Sequence, residues 1–451
     1  MLRLSDMLSD ELERPMNAQV IVVGAGPAGL TAAITLARAG IETLVVEKRE
    51  RLQLPRATGA STATMELIRS WGLEAQVREA AMDVEWRALA SSTLRAAASG
   101  TPVEVGYPSR AQSAVVSPTA PACVPQDALE RILEAHLATL AAARLERGVE
   151  VTSVESRAEG VRLGTRDGRT LAARYLVAAD GIRSTVRGAL GIPASGTGPL
   201  AERFAALVRA PLWELVGEHR YVIYFLDGEV AAVPIALPDR WVFAFGAPGP
   251  ADVRAAIREA AGADHLEPVI ESASITTYAV ELAERFRQGS AFLIGDAAHR
   301  LTPRGATGMN TAIRDGYDLG WKLAWVLRGW AGEDLLDSYE RERRPVAEHN
   351  GARGQDPNGS IRGADEELRV DLGGRIAHMW LPGESGRVST LDLLGDGLTV
   401  FTGPSEAAAW RTRCGAPPVT VRRLDAITAR ALGILGEASL LVRPDGVPAM
   451  A

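Results

Sequence analysis

The 451-residue sequence is poor in the residue types that most often announce chemistry. Only two of its 49 basic residues are lysines, Lys48 and Lys322, so a mechanism needing a reactive amine has two candidates. The two cysteines, Cys123 and Cys414, cannot build a disulfide framework and form no CxxC pair, which fits a reducing cytoplasm. The six histidines never fall in HExxH or at i, i+4, so no metal cage is expected. No apolar run is long enough to span a bilayer: the most apolar stretch, Val20 to Ala37, is broken by Gly24, Gly26, Pro27 and Gly29. The opening MLRLSDMLSDELERPMNAQ is acidic and mixed, without the apolar segment of a signal peptide. A formal charge of −7 argues against nucleic acid or an anionic membrane as partner.

What is present supports a large folded core, with 47% hydrophobic and 23% charged residues. QVIVVGAGPAGLTAAITLARAGIETLVVEK reads as one βαβ unit: a β-branched strand, a helix over 27–39 opened by Pro27, and a second strand from Thr43 to Glu47. Residues 75–125 show weak periodicity. The segments RYVIYFLDG, EVAAVPIAL and RWVFAFG predict an antiparallel sheet between about 191 and 280. A helix is expected over about 310–329, with Gly316, Gly320 and Ala324 on one side, open to close approach by a neighbour. A further helix-like stretch lies near 405–413.

Three constellations carry chemistry. In Gly24-Ala-Gly26-Pro27-Ala28-Gly29, the first glycine suits a tight turn out of the strand. The second lets a pyrophosphate approach the backbone, and the third permits close helix–strand packing. Phosphate charge then meets the helix N-terminus, and Glu47 at the end of the second strand can accept hydrogen bonds from a ribose. The near-match Gly196-Thr-Gly198-Pro-Leu-Ala201 follows no strand and opens no helix, so it reads as a decoy. The second constellation is Asp180-Gly181-Ile-Arg183-Ser184-Thr-Val-Arg187. The third is Gly295-Asp296-Ala-Ala-His299, followed by Pro303 and Gly305-Ala-Thr-Gly308-Met309-Asn310. There a strand ending in an acid, then a glycine-rich helix start, offers acceptors to a polyol and N–H groups to a ring.

Together these motifs resemble the FAD-dependent aromatic hydroxylases, single-component class A flavoprotein monooxygenases, in the branch that oxidises polycyclic aromatic polyketides. Further matches are Pro55-Arg56-Ala57, Gln126-Asp-Ala-Leu129-Glu130, Asp315 with Trp321-Lys322-Leu323, and Glu340-Arg-Glu-Arg-Arg-Pro345. The resemblance spans roughly residues 19–403. Ala306 stands where the family often has a second glycine, and the tail lacks the CxxC of a redox-active thioredoxin domain.

The resemblance implies an α/β fold: a Rossmann-like FAD-binding domain, an antiparallel-sheet substrate domain and a small thioredoxin-like C-terminal α/β domain. The expected division is an extension over 1–18, FAD-binding segments over 19–190 and 281–350, a substrate sheet over 191–280, a linker over 351–376 and a shortened thioredoxin-like tail over 377–451. It also implies tightly held FAD, transient NADPH or NADH, and dioxygen as co-substrate, acting through a C4a-hydroperoxyflavin on a phenolic polycycle. Glu47 would bind ribose, Lys48 the adenine side, and Arg56 and Gln126 the pyrophosphate and ribityl region. Asp296 would hold the ribityl or pyrophosphate portion. Gly308, Met309 and Asn310 would line the isoalloxazine, with Pro303 at its N5 edge. Asp180 and Arg183 would serve both FAD and NADPH. No obligatory acid or base is assigned, since a phenolate activates itself.

For the chamber the aromatic residues of the middle sheet are candidates: Tyr221, Tyr224, Phe225, Trp241 and Phe243. Strand alternation sends Tyr221 and Phe225 to one face and Tyr224 to the other. His299 is expected to act structurally and Lys322 to cap or face solvent. Baeyer–Villiger insertion and drug inactivation remain open as variants of the chemistry. A flavoprotein that protects a polycyclic ligand without turnover remains open as another class. A halogenase is disfavoured because WxWxIP is missing.

Overall fold

The computed structural model describes residues 17–50, 57–157, 160–383, 386–404, 416–436 and 438–449. The stretch near 405–413 and Arg56 therefore lie outside the described residues. The apolar run Ala18–Val23 forms β1, buried along nearly its whole length as a parallel-sheet strand must be. Pro27 opens α1 (Pro27–Arg38), where its missing N–H costs no hydrogen bond. After β2 (Thr43–Glu47) come α2 (Thr62–Ser70), β3 (Glu85–Ala90), α3 (Gln126–Leu137), β4 (Ala143–Arg147) and β5 (Thr170–Ala178). Then follow α4 (Thr185–Ala189), β6 (Ala194–Arg209), β7 (Tyr221–Leu226), β8 (Val230–Ala236), β9 (Arg240–Gly246), α5 (Val253–Ala261), β10 (Val269–Ala283) and β11 (Ala291–Leu293). Helices α6 (Gly308–Leu327), α7 (Asp334–Gln355) and α8 (Ala364–Leu372) precede the tail.

The first sheet has a parallel centre, β11-β5-β1-β2-β4, to which Arg287–Gln288 and the hairpin of Val151–Arg157 with Gly160–Thr165 add antiparallel strands. Helix α6 packs on α1 at very short range. A Cβ added at Gly316 would sit 2.4 Å from the Ala28 carbonyl oxygen, and one at Gly320 would sit 2.8 Å from Thr35 Cβ. The small-residue side of α6 is thus a helix–helix contact.

The second sheet runs β10-β6-β9-β8-β7-β3. It is antiparallel except for the β7–β3 pair. Strand β3 and the short strand Thr101–Val103 beside it come from the weakly periodic stretch before 125, so the sheet is not confined to 191–280. The decoy glycines Gly196 and Gly198 lie inside β6.

The two faces of this sheet carry different cores. On one, Tyr224, Trp241 and Phe243 pack with Ile257, Ala260 and Ala261 of α5. On the other, Met82, Val84, Trp86, Val105, Tyr107 and Cys123 are joined by Val222, Ile223 and Phe225. An irregularity in the β7–β3 register falls between Tyr221 and Ile223. Tyr221 therefore sides with Tyr224, not with Phe225 as plain alternation predicts: it packs on the same core, its ring edge-on to that of Tyr224 with centroids 6.4 Å apart.

Residues 351–376, expected as a linker, complete α7 and form α8, and some of their charged side chains are buried. Buried Arg353 meets Glu367 at 3.0 Å, and Asp371 accepts from Ser61 Oγ at 2.6 Å.

Lys322 also departs from expectation. It is fully buried in α6, pairing with Asp318 at 2.7 Å and Glu342 at 3.0 Å. Arg443 from the tail joins Glu342 at 2.8 Å. The carboxylates of Asp318, Glu342 and Asp445 cluster here, and the two cations among them make this an ion-pair network that docks the tail. The described residues of the tail form a hairpin of Trp380–Gly383 with Gly386–Ser389, a mixed three-stranded sheet centred on Leu398–Thr402, and the helix Ala426–Ala431. Among the described residues no helix is long and apolar enough to cross a membrane.

Candidate active site

The three constellations meet at the carboxyl ends of adjacent parallel strands, where open α/β sheets bind ligands. Backbone bonds lock the turns to one another. The Gly24 N–H donates to Val46 O, Ala179 N–H to Val23 O, and Ile294 N–H to Ala178 O, at 2.8, 2.8 and 3.0 Å. Gly24 has φ +107°, and Gly29 lies so close beneath it that an added Cβ would be 1.9 Å from Gly24 O. Gly26 differs: a Cβ there would meet nothing within 4 Å. The space over its backbone is open, as a pyrophosphate at the α1 N-terminus requires. The residues present thus fit a dinucleotide. Glu47 accepts from the Ala25 N–H at 2.9 Å, which holds its carboxylate across from the turn. Lys48 is exposed just beyond it.

Asp180 is largely spent on structure. It accepts from Ser184 Oγ at 2.5 Å and from the Val186 N–H at 3.0 Å, capping α4. Burial raises its carboxyl above the usual range, against those hydrogen bonds. Arg187 reaches between two loops. It donates to Ala297 O at 2.8 Å and Ile182 O at 3.1 Å, tying the second constellation to the third. Arg183 is exposed. Gln126 donates to Glu130 at 2.7 Å, and its N–H holds Ala57 O, fixing the start of α3 against the segment before α2.

Asp296 and Pro303 are exposed at the mouth of the crevice, whereas Gly295 is packed between Ala28 of α1 and Ala312 of α6. Behind it, fully buried Asp315 accepts from the Gly295 N–H, pairs with His299 Nε2 at 2.6 Å and with Arg343 Nε at 2.7 Å. Burial alone would raise this carboxyl, but Arg343 and His299 outweigh burial and hold it below the usual range. An ionised Asp315 therefore clamps the Gly295 turn, and His299 is structural.

At the α6 start, Gly308 and Met309 are half-buried and Asn310 is buried. The Asn310 side chain is wholly engaged: Oδ1 accepts from the Ser61 N–H and Thr64 Oγ1, both at 2.8 Å, while Nδ2 donates to Gly59 O at 3.1 Å and Ala306 O at 3.3 Å. Its side chain joins α6 to α2, which leaves only its backbone to face a ring.

Two residues that the sequence did not single out complete the site. Tyr107 donates to Ala306 O at 2.9 Å and Gly305 O at 3.3 Å, and its ring packs on Trp86 with centroids 4.8 Å apart. The apolar face around Trp86, Ile223 and Phe225 thereby abuts the loop before α6. Tyr224, Trp241 and Phe243 have no exposed surface and lie on the opposite face, so they are core and not chamber. Their position under α5 is a tertiary fact that strand spacing does not carry.

Fold and site define an α/β flavin-type dinucleotide enzyme, and comparison with known proteins makes the class specific. Residues 17–353 match the FAD binding domain family, and 370–451 match the aromatic-ring hydroxylase C-terminal family. Tetracenomycin A2 monooxygenase-dioxygenase of Streptomyces glaucescens is 32% identical over 95% of this chain and 92% of its own length. Aklavinone 12-hydroxylase of Streptomyces peucetius is 32% identical over 89% and 94%. The structure of aklavinone-11 hydroxylase with FAD and aklavinone superposes with a TM-score of 0.85 at 29% identity, covering 97% of this chain and 96% of that one. The chain belongs to the FAD-dependent aromatic-ring hydroxylases. It is a flavin monooxygenase with FAD as its cofactor.

Proposed function

We propose that this enzyme uses NADPH or NADH and dioxygen to hydroxylate a phenolic polycyclic aromatic of the polyketide antibiotic type. The observation that carries this is the apolar face of Trp86, Val105, Ile223 and Phe225, joined through Tyr107 to the loop that opens α6. A flat, mostly hydrophobic ligand laid there would lie beside that loop. The relatives named for tetracenomycin and aklavinone support the same substrate class.

Bound FAD supplies the redox chemistry, and the protein supplies binding, orientation and dryness. Glu47 and Lys48 would hold the adenosine end, Asp296 and Gln126 the middle, and Pro303 with the backbone of residues 308–310 the ring end. The apolar face excludes water, which protects a reactive oxygen donor from wasteful decay. It also fixes the distance to the target carbon, where small errors cost rate steeply. A phenolic substrate ionises to activate its own ring, so these residues need supply no base.

The test is nicotinamide oxidation by the FAD-loaded enzyme against a panel of anthraquinone, naphthacene and angular tetracyclic phenols under labelled dioxygen. Ligand-stimulated oxidation with one labelled oxygen in a hydroxylated product is the expected result. Oxygen inserted into a ring bond would reassign the reaction to the Baeyer–Villiger type. Consumption unaffected by every ligand would favour a ligand-protecting flavoprotein.

A further inference from the structure

We propose that Tyr107 is a positioning residue: its phenol holds the Gly305–Ala306 pair in the left-handed backbone conformation that presents the start of α6. The proposal rests on assigning that loop to the flavin ring, and its stability readout stands apart from that assignment.

Gly305 has φ +77° and Ala306 has φ +52°. Glycine adopts such angles freely. An L residue does so at a cost of about 1–2 kcal/mol, from Cβ crowding against the next carbonyl. Ala306 therefore needs partners that favour the strained form, and its carbonyl has two. The Tyr107 hydroxyl donates at 2.9 Å and Asn310 Nδ2 at 3.3 Å, with the same hydroxyl reaching Gly305 O at 3.3 Å.

Tyr107 is well placed to act as a strut because it is itself immobilised. It is buried, its ring rests on Trp86, and Trp86 is pressed against Gly59, where an added Cβ would be 2.8 Å away. Burial keeps the phenol neutral, and so a donor, well beyond the usual tyrosine range. From the other side the Arg353 guanidinium closes on Gly305, 2.4 Å from where a Cβ would stand. Tyr107 and Arg353, both distant in sequence, thus converge on two peptide units that Asn310 supports locally. Because Trp86 and Tyr107 also belong to the apolar face, the strut links that face to the loop.

The test is a cycle of wild type, Tyr107→Phe, Ala306→Gly and the double variant. FAD affinity of the apoprotein is read by flavin fluorescence, the visible flavin band by absorbance, and the unfolding midpoint of the apoprotein by circular dichroism. Tyr107→Phe should weaken FAD binding roughly 3- to 10-fold, the equivalent of one lost hydrogen bond, and shift the flavin band. Ala306→Gly alone should change affinity less than about 2-fold, since glycine needs no strut. In the double variant the glycine should restore both affinity and band position. An unaltered Tyr107→Phe, or losses that simply add in the double variant, would overturn the proposal. The unfolding midpoints must show the same rescue without FAD, so the strut is tested whatever the flavin does. A folded wild type that never takes up FAD would sink the flavin reading instead.

Discussion

Two glycine-rich loops open helices at this site, and they solve the same problem by different means. The loop of residues 24–29 places a glycine at each position where a side chain would intrude. Gly24 takes the positive φ, Gly29 leaves room under Gly24 O, and Gly26 leaves space above the backbone. The loop of residues 303–308 has one glycine in the left-handed region and an alanine beside it. It is held by Asn310 just after it and by Tyr107 and Arg353, which come from other parts of the chain. The first loop is a local solution and the second a tertiary one. Substitutions in the first should act through steric exclusion, and those in the second through lost support.

The sharpest test of that contrast is Gly29→Ala. Its Cβ would lie 1.9 Å from a backbone oxygen that cannot move without unmaking the turn. We expect purified protein without a flavin band near 450 nm and a stability loss of at least about 3 kcal/mol in urea unfolding. Gly26→Val should separate binding from folding. With nothing within 4 Å of its Cβ, the apoprotein should unfold within about 2 °C of wild type. FAD affinity, however, should fall about 100-fold or more in fluorescence titration, roughly 2.7 kcal/mol. A drop in apoprotein stability like that of Gly29→Ala would break the distinction between a packed and an open glycine.

On the second loop, Asn310→Ala removes an amide with four hydrogen bonds, three of them buried, to residues 59, 61, 64 and 306. A loss of about 2 kcal/mol is expected in the same urea experiment, because several buried groups lose their partner at once. The smallest effect belongs to Ala306→Gly. Relief of the left-handed strain is offset by the greater freedom of glycine in the unfolded chain, so stability should move by less than about 1 kcal/mol. A large destabilisation would mean that the alanine methyl is itself a packing contact.

The same contrast explains what could be read in advance. The first βαβ unit was legible because strand, turn, Pro27 and the glycines all lie within thirty residues and each choice has a local reason. The aromatic strands announced a sheet, but not which face α5 covers, so Tyr224, Trp241 and Phe243 stand among the chamber candidates although they are core. The register irregularity after Tyr221 then broke the simple alternation between faces. Lys322 looked like a surface residue because helix periodicity does not show that Glu342 arrives beside Asp318 to pair with it, with Arg443 on the same Glu342 carboxylate. Residues 351–376 looked like a linker because composition cannot tell a solvated charge from Arg353 paired to Glu367. Tyr107 gave no signal, standing in a stretch without periodicity.

By itself, then, the sequence determined the dinucleotide turn, the order of the three constellations and the mixed α/β character, all properties of neighbouring residues under fixed backbone geometry. The tertiary structure alone decided which aromatic residues border the cofactor loop, which charges are buried in pairs, and how an alanine is kept in a glycine's conformation. Those outcomes depend on partners brought in by other elements of the fold, and contact energy between separate segments leaves no periodic trace in the chain.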